Sequence, residues 1–180
     1  MTRIDVRIPQ PGNPIVEKMT QIASGYGHAC NQTAVVVGPT GLAYDAAKDI
    51  LYVASTSDNK IFAIAHAQKT GSDQGTGVVI YQDNVHLHGP LGLVLDPNGD
   101  LITANGDAIN MDPQQPSELV EFTVAGQFVG QLSVNSAQGA AFGLAVEASP
   151  NGAQALSNPS GVKLAAVDDV TNRLDIWNMP

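Results

Sequence analysis

Cysteine, lysine and arginine are what this chain has least of, and each scarcity closes off a class of function. Its single cysteine, Cys30, has no partner for an intrachain disulfide, and no Cys/His cluster surrounds it in sequence to hold a metal or activate the thiol. Eight basic residues stand against 17 acidic ones, a formal net charge of −9, so polyanions are repelled. The expected partners therefore include no nucleic acid and no membrane surface. No stretch approaches the roughly 18 apolar residues of a membrane span, and Met1–Arg7 lacks an apolar core of signal-peptide length. A soluble protein is expected. Its compartment stays open, and an exported bacterial protein that has lost its signal peptide is one of the choices. Charged residues are only 14% of the 180, and no long amphipathic helical pattern occurs. What is there instead is glycine (18) and proline (11) punctuating a 43% hydrophobic sequence, the composition of many short strands joined by turns.

Three segments align without gaps: Gly38-Pro39-Thr40-Gly41-Leu42-Ala43-Tyr44-Asp45, Gly89-Pro90-Leu91-Gly92-Leu93-Val94-Leu95-Asp96 and Ala140-Ala141-Phe142-Gly143-Leu144-Ala145-Val146-Glu147. Their anchor glycines, 41, 92 and 143, are 51 residues apart, a period that marks a solenoid, propeller or array. Each anchor leads a short apolar strand that ends in an acid and then turns. Second strands follow at Ile50–Ala54, Leu101–Ala104 and Val162–Val167, and third strands at Lys60–Ile64, Glu118–Phe122 and Arg173–Trp177. Outer strands are expected at Gly77–Tyr81 and Gln127–Leu132. Four antiparallel strands per repeat make a β-propeller blade.

The fold class read from this pattern is all-β, with about three blades per chain at 39–89, 90–140 and 141–180, half of a six-bladed ring. Residues 1–38 form an N-terminal segment with a spare strand, Ile15–Ile22. That strand is expected to complete the last blade of a second copy, so the chain is expected to be a homodimer. Two insertions, Asp107–Pro116 and Ser149–Gly161, lengthen turns, and insertions of this kind often belong to a binding face.

The wording of the repeats resembles the NHL family of β-propellers. Pro39-x-Gly41, Leu51-Tyr52-Val53-Ala54 and Asn59-Lys60-Ile61 carry the resemblance in the first repeat, and Asn172-Arg173-Leu174 carries it in the third. A more distant resemblance is to the SMP-30/gluconolactonase-like propellers. That group implies Asn, Asp or Glu immediately before each repeat glycine, converging on a central calcium ion. Here those positions are Thr40, Leu91 and Phe142.

Candidate ligand-binding residues lie elsewhere. Polar residues recur at the ends of the second strands, at Ser55, Asn105 and Asp168 and then Thr56, Gly106 and Asp169, with Asp107 opening the first insertion. They would ring one end of a propeller, and the same residue types also cap turns by bonding backbone amides. His86 and His88 stand two apart in a segment read as extended, which puts both imidazoles on one face where they can hold zinc or copper. Conceivable third ligands are His28 and Asp168. No Gly-x-Ser-x-Gly elbow, phosphate-cradling loop or HExxH occurs. The leading expectation is a non-enzymatic binding scaffold for a small molecule or protein. The alternative is a metal-dependent, lactonase-like hydrolase or lyase using a divalent ion near His86 and His88.

Overall fold

The computed structural model describes residues 1–31, 35–147 and 162–179, and every regular element among them is a β-strand. Two hairpins come first: β1 (Thr2–Arg7) with β2 (Ile15–Gln21), then β3 (Ala29–Asn31) with β4 (Val35–Val37). Two four-stranded antiparallel sheets follow. One holds β5 (Pro39–Asp45), β6 (Ile50–Ser55), β7 (Lys60–Ala65) and β8 (Val78–Tyr81), and the other β9 (Pro90–Leu95), β10 (Leu101–Asn105), β11 (Glu118–Phe122) and β12 (Phe128–Ser133). A three-stranded sheet ends the described chain, with β13 (Ala141–Glu147), β14 (Lys163–Asp168) and β15 (Arg173–Asn178). The insertion 149–161 lies outside the described residues.

Period-two alternation decides which side of each strand is covered. In β5, Thr40, Leu42 and Tyr44 are exposed while Gly41, Ala43 and Asp45 are buried. The acid closing the first strand caps the turn that follows. The Asp45 carboxylate accepts from the Ala47 and Lys48 amides at 3.0 Å, and that of Asp96 accepts from the Asp100 amide at 2.8 Å. The turn into the third strand needs a left-handed residue, supplied by Asn59 (φ 50°), Ser117 (φ 56°) and Asn172 (φ 56°).

Blades stack face to face on continuous apolar layers. Ala43, Tyr52, Ala54 and Ile61 of the first pack on Leu93, Leu101, Val120 and Phe122 of the second, where the rings of Tyr81 and Phe122 stack 4.4 Å apart. Ile102, Ala104 and Leu119 of the second pack on Ala141, Leu164 and Ala166 of the third. The anchor glycines set how closely the inner strands approach. A Cβ on Gly41 would stand 2.2 Å from the Leu91 carbonyl oxygen, and one on Gly92 would stand 2.5 Å from that of Phe142. The same period fixes the backbone at one end of the stack, where the Thr56, Gly106 and Asp169 amides donate to the carbonyls of Gly38, Gly89 and Ala140.

The strand expected to stand spare is not single. β2 pairs with β1 from Thr2↔Gln21 to Arg7↔Ile15, and with Ile22, Ala23 and Met1 the hairpin region covers Val53, Phe62 and Ile64 of the first blade.

Candidate functional site

The ends of the second strands and the loops entering the first strands lie together at one end of the stack, and the buried polar residues there form a connected network. Asn105 is at its centre. Its Oδ1 accepts from the His88 amide at 2.9 Å, and its Nδ2 donates to the His86 carbonyl at 2.7 Å and to Glu118 Oε2 at 3.2 Å. The left-handed turn residues tie each blade to the next inter-blade loop. Asn59 accepts from the Gly89 amide and donates to the Leu87 carbonyl, both at 2.8 Å, and Ser117 Oγ accepts from the Ala140 amide at 2.8 Å. Asp107 does the same work within the insertion, with Oδ2 accepting from the Ser117 amide at 3.0 Å and the Gly139 amide at 2.9 Å.

His86 and His88 do not share a face. Residues 84–86 form a turn, closed by the Leu87 amide donating to the Asp83 carbonyl at 2.9 Å, in place of the extended segment expected. The Asp83 side chain favours this turn by accepting from the Val85 amide at 2.8 Å. His86 Nδ1 bonds Asp83 Oδ2, and its ring stacks on Phe128 at 3.8 Å between centroids. Burial pushes the Asp83 carboxyl up, but hydrogen bonds from His86, the Val85 amide and Tyr81 outweigh it and hold the group below the usual carboxylate range. His88 is buried and takes a different partner, its Nδ1 donating to the Asn110 carbonyl at 2.5 Å. That bond places a ring proton on Nδ1. Nε2 has no hydrogen-bond partner.

Two carboxylates beside His88 share its condition. Glu118 Oε1 and Asp107 Oδ1 are buried without a partner. Burial is the main cause raising the Glu118 carboxyl, aided by the charge of Asp107 and opposed by hydrogen bonds from its own amide and Asn105 and by the charge of His88. Glu118 was not among the sequence candidates, although the signal was present: alternation places it on the same side of β11 as Val120 and Phe122, both fully buried, so it is an acid on a core-facing row.

The remaining candidates divide. Asp168 caps the turn after β14, with Oδ1 accepting from the Thr171 amide at 2.9 Å and Oδ2 from Asn135 Nδ2 at 2.8 Å. Hydrogen bonds from Thr171 and Asn135 push its carboxyl down to about 2. Asp168 also lines a groove of about 360 Å³ with Ser133, Asn135, Arg173, Asp175 and Trp177. Asp169 is exposed, and its amide joins the network by donating to the Ala140 carbonyl. Among the described residues His28 forms no metal-ligand group with His86 and His88.

The residues before the anchor glycines do not fit the calcium ion of the lactonase-like propellers. Thr40 Oγ1 lies 3.0 Å from Thr56 Oγ1, and Leu91 and Phe142 have no side-chain oxygen to offer a hard cation. Among the described residues no three His, Cys, Asp or Glu side chains gather as a metal site.

No family model and no curated protein matches the chain. Solved structures do. The fold is similar to a gluconolactonase from Xanthomonas campestris, at 20% identity over 79% of this chain and 38% of that one, with a TM-score of 0.52. A calcium-binding protein, regucalcin, from Agrobacterium tumefaciens is similar at 15% identity over 71% of this chain and 37% of its own, with a TM-score of 0.50. A luciferin-regenerating enzyme is similar at 13% identity over 92% of this chain and 54% of its own, also at 0.50. These likenesses define the class, a run of β-propeller blades, and this chain spans between 37% and 54% of those proteins' lengths. The narrower NHL resemblance rests on its motif residues alone. Among the described residues no helix is long and apolar enough to cross a membrane.

Proposed function

We propose that this chain carries the reactive end of a lactonase-like propeller hydrolase acting on small esters or lactones, with His88 and Glu118 as its acid–base pair. The observation that carries this reading is the buried group of His88, Glu118 and Asp107, each with one polar side-chain atom lacking a partner. Unsatisfied buried polar atoms are costly, and titratable groups shifted by burial concentrate where chemistry is done. Glu118, its carboxyl raised by burial, is assigned as the acid, and His88, held by its Nδ1 bond to the Asn110 carbonyl with Nε2 unpartnered, as the base. Asn105 orients both, through the His88 amide and Glu118 Oε2. No step is assigned to a calcium ion at Thr40, Leu91 and Phe142, because those side chains do not fit one.

The test is turnover of a panel of aryl esters and lactones. Wild type is expected to hydrolyse members of the panel, and Glu118→Gln and His88→Ala to lose on the order of 10²-fold or more in kcat, the range for a lost acid–base group. Activity should also fall as pH rises through the raised Glu118 carboxyl, since the acid acts protonated. Unchanged turnover in both folded variants refutes the assignment.

A second reading, the binding scaffold, is favoured by the 360 Å³ groove at Asp168, which has small-ligand dimensions and mixes Arg173, Asp175 and Trp177. Saturable binding there without turnover of any ester or lactone supports it over the hydrolase.

A further inference from the structure

The polar atoms left without partners on His88, Glu118 and Asp107 are buried, so nothing in solvent reaches them with the chain as it stands. The backbone lying over His88 belongs to the insertion that follows Asp107. Asn110 of that insertion is exposed, yet its carbonyl oxygen sits 2.5 Å from His88 Nδ1, so one thickness of chain separates the imidazole from water there. Its neighbours lie over Gly89 in the same way. A Cβ on that glycine would stand 3.1 Å from the Ile109 nitrogen and 3.4 Å from that of Ala108.

The insertion is closed at its neck. Asp107 Oδ2 accepts from the Ser117 amide at 3.0 Å, and both end residues take the left-handed backbone, at φ 54° and 56°. A short loop whose ends meet is a compact surface unit, and such units open locally while the strands beneath them stay paired. Within it Asp112 turns the chain on itself, its Oδ1 accepting from the Gln114 amide at 2.8 Å and its carbonyl from the Gln115 amide at 3.1 Å. One limb is tied outward to β12, where Ser133 Oγ donates to the Pro116 carbonyl at 2.9 Å. The other is fastened over the site by Asn110. Its Nδ2 donates to the carbonyls of Asn84 and Leu87, both at 2.8 Å, while its own carbonyl accepts from His88. Three bonds of one exposed residue thus join this limb to the 84–88 segment, and bonds at such a position exchange readily for water.

We propose that residues 108–116 are a lid over the His88 side of the buried group, latched by Asn110 and hinged at Asp107 and Ser117. Releasing the latch lifts the Asn110 carbonyl from His88 Nδ1 and opens the ring to solvent, with β10 and β11 still paired. The purpose of the opening, to admit an ester or lactone, rests on the hydrolase reading. The cover over His88 rests on geometry alone.

Acylation of the histidines by diethyl pyrocarbonate, located by mass spectrometry, tests the lid without any substrate. His28 and His66 are exposed and serve as references in the same sample. In wild type, His88 is expected to react far more slowly than either. Asn110→Gly drops both side-chain bonds and keeps the left-handed backbone, and there His88 is expected to react roughly tenfold or more faster than in wild type, the effect of losing two hydrogen bonds, with the reference rates unchanged. A His88 rate that matches the references in wild type, or that does not rise in folded Asn110→Gly, overturns the proposal. Wild type alone decides if the variant fails to fold. Lid opening exposes little surface, so the His88 rate is expected to stay nearly flat in urea below the unfolding transition. A rate that climbs with the full slope of global unfolding overturns the lid. The readout involves no turnover, so the lid and the hydrolase reading stand or fall separately.

Discussion

At the scale of single residues, the end of the stack that carries the candidate site is held by side chains bonding backbone groups and also one another, as Asn105 bonds Glu118 and Asn135 bonds Asp168. Asp168 shows the consequence for stability. Its carboxyl, pushed down to about 2 by Thr171 and Asn135, is lowered relative to the unfolded chain, where it titrates near 3.8. A group lowered on folding stabilises the fold above its unfolded value, and that contribution disappears as pH falls through the folded one. Asp168→Asn is therefore expected to melt below wild type at pH 7, with the gap narrowing as pH drops from about 4 towards 2. Thermal melts of both proteins across that range check it, and a gap that is constant with pH contradicts the assigned cause. Glu118 has the opposite sign. Raised by burial, it favours the fold while protonated and penalises it once pH has risen through its folded value.

At the scale of elements, the strand order and the anchor glycines were legible in the sequence because both come from local rules, period-two alternation and a repeat of 51 residues. Asn59 and Asn172 stood out only as motif residues ahead of the third strand, with no sign of their left-handed backbone, and Ser117 was hidden by the insertion before it. The His86–His88 segment was misread as extended because Asp83, three residues before His86, closes a turn through its side chain, and alternation carries no signal for that. The pairing of β2 with β1 depends on contacts across the Ile8–Pro14 loop and on the Val53, Phe62 and Ile64 surface, neither of which a strand-by-strand reading registers. Of the candidate site, Asn105 and Asp107 were legible as polar residues at or just past a strand end, and His88 as half of a histidine pair read as a candidate metal site. Glu118 was missed because an acid in Glu-Leu-Val-Glu-Phe reads as solvent-facing until the side of the strand is known.

The glycines also supply the test at this scale. Gly92→Ala places a methyl 2.5 Å from the Phe142 carbonyl, and both inner strands are fixed by their ladders, so the substitution is expected to cost about 1–3 kcal/mol, the usual range for overpacking. Gly130→Ala, in β12, meets nothing within 4 Å and is expected to leave stability within about 0.5 kcal/mol of wild type. Denaturant melts of the two variants check the contrast, and equal losses would contradict the role given to the anchors.

At the scale of the whole molecule, the chain is a stack of blades whose shared layers are built from small residues and aliphatics at the inner strands. The outer face of the first blade carries a layer of its own, Met1, Ile22 and Ala23 over Val53, Phe62 and Ile64. The candidate site lies at one end of the same stack, and its geometry depends on the inter-blade loops being pulled in by Asn59, Ser117 and Asp107. Turnover of aryl esters and lactones by wild type, Glu118→Gln and His88→Ala, each shown to be folded by circular dichroism, tests this account most directly. Hydrolysis by wild type and its loss by on the order of 10²-fold in both variants is the predicted result, and equal turnover in all three proteins would contradict it.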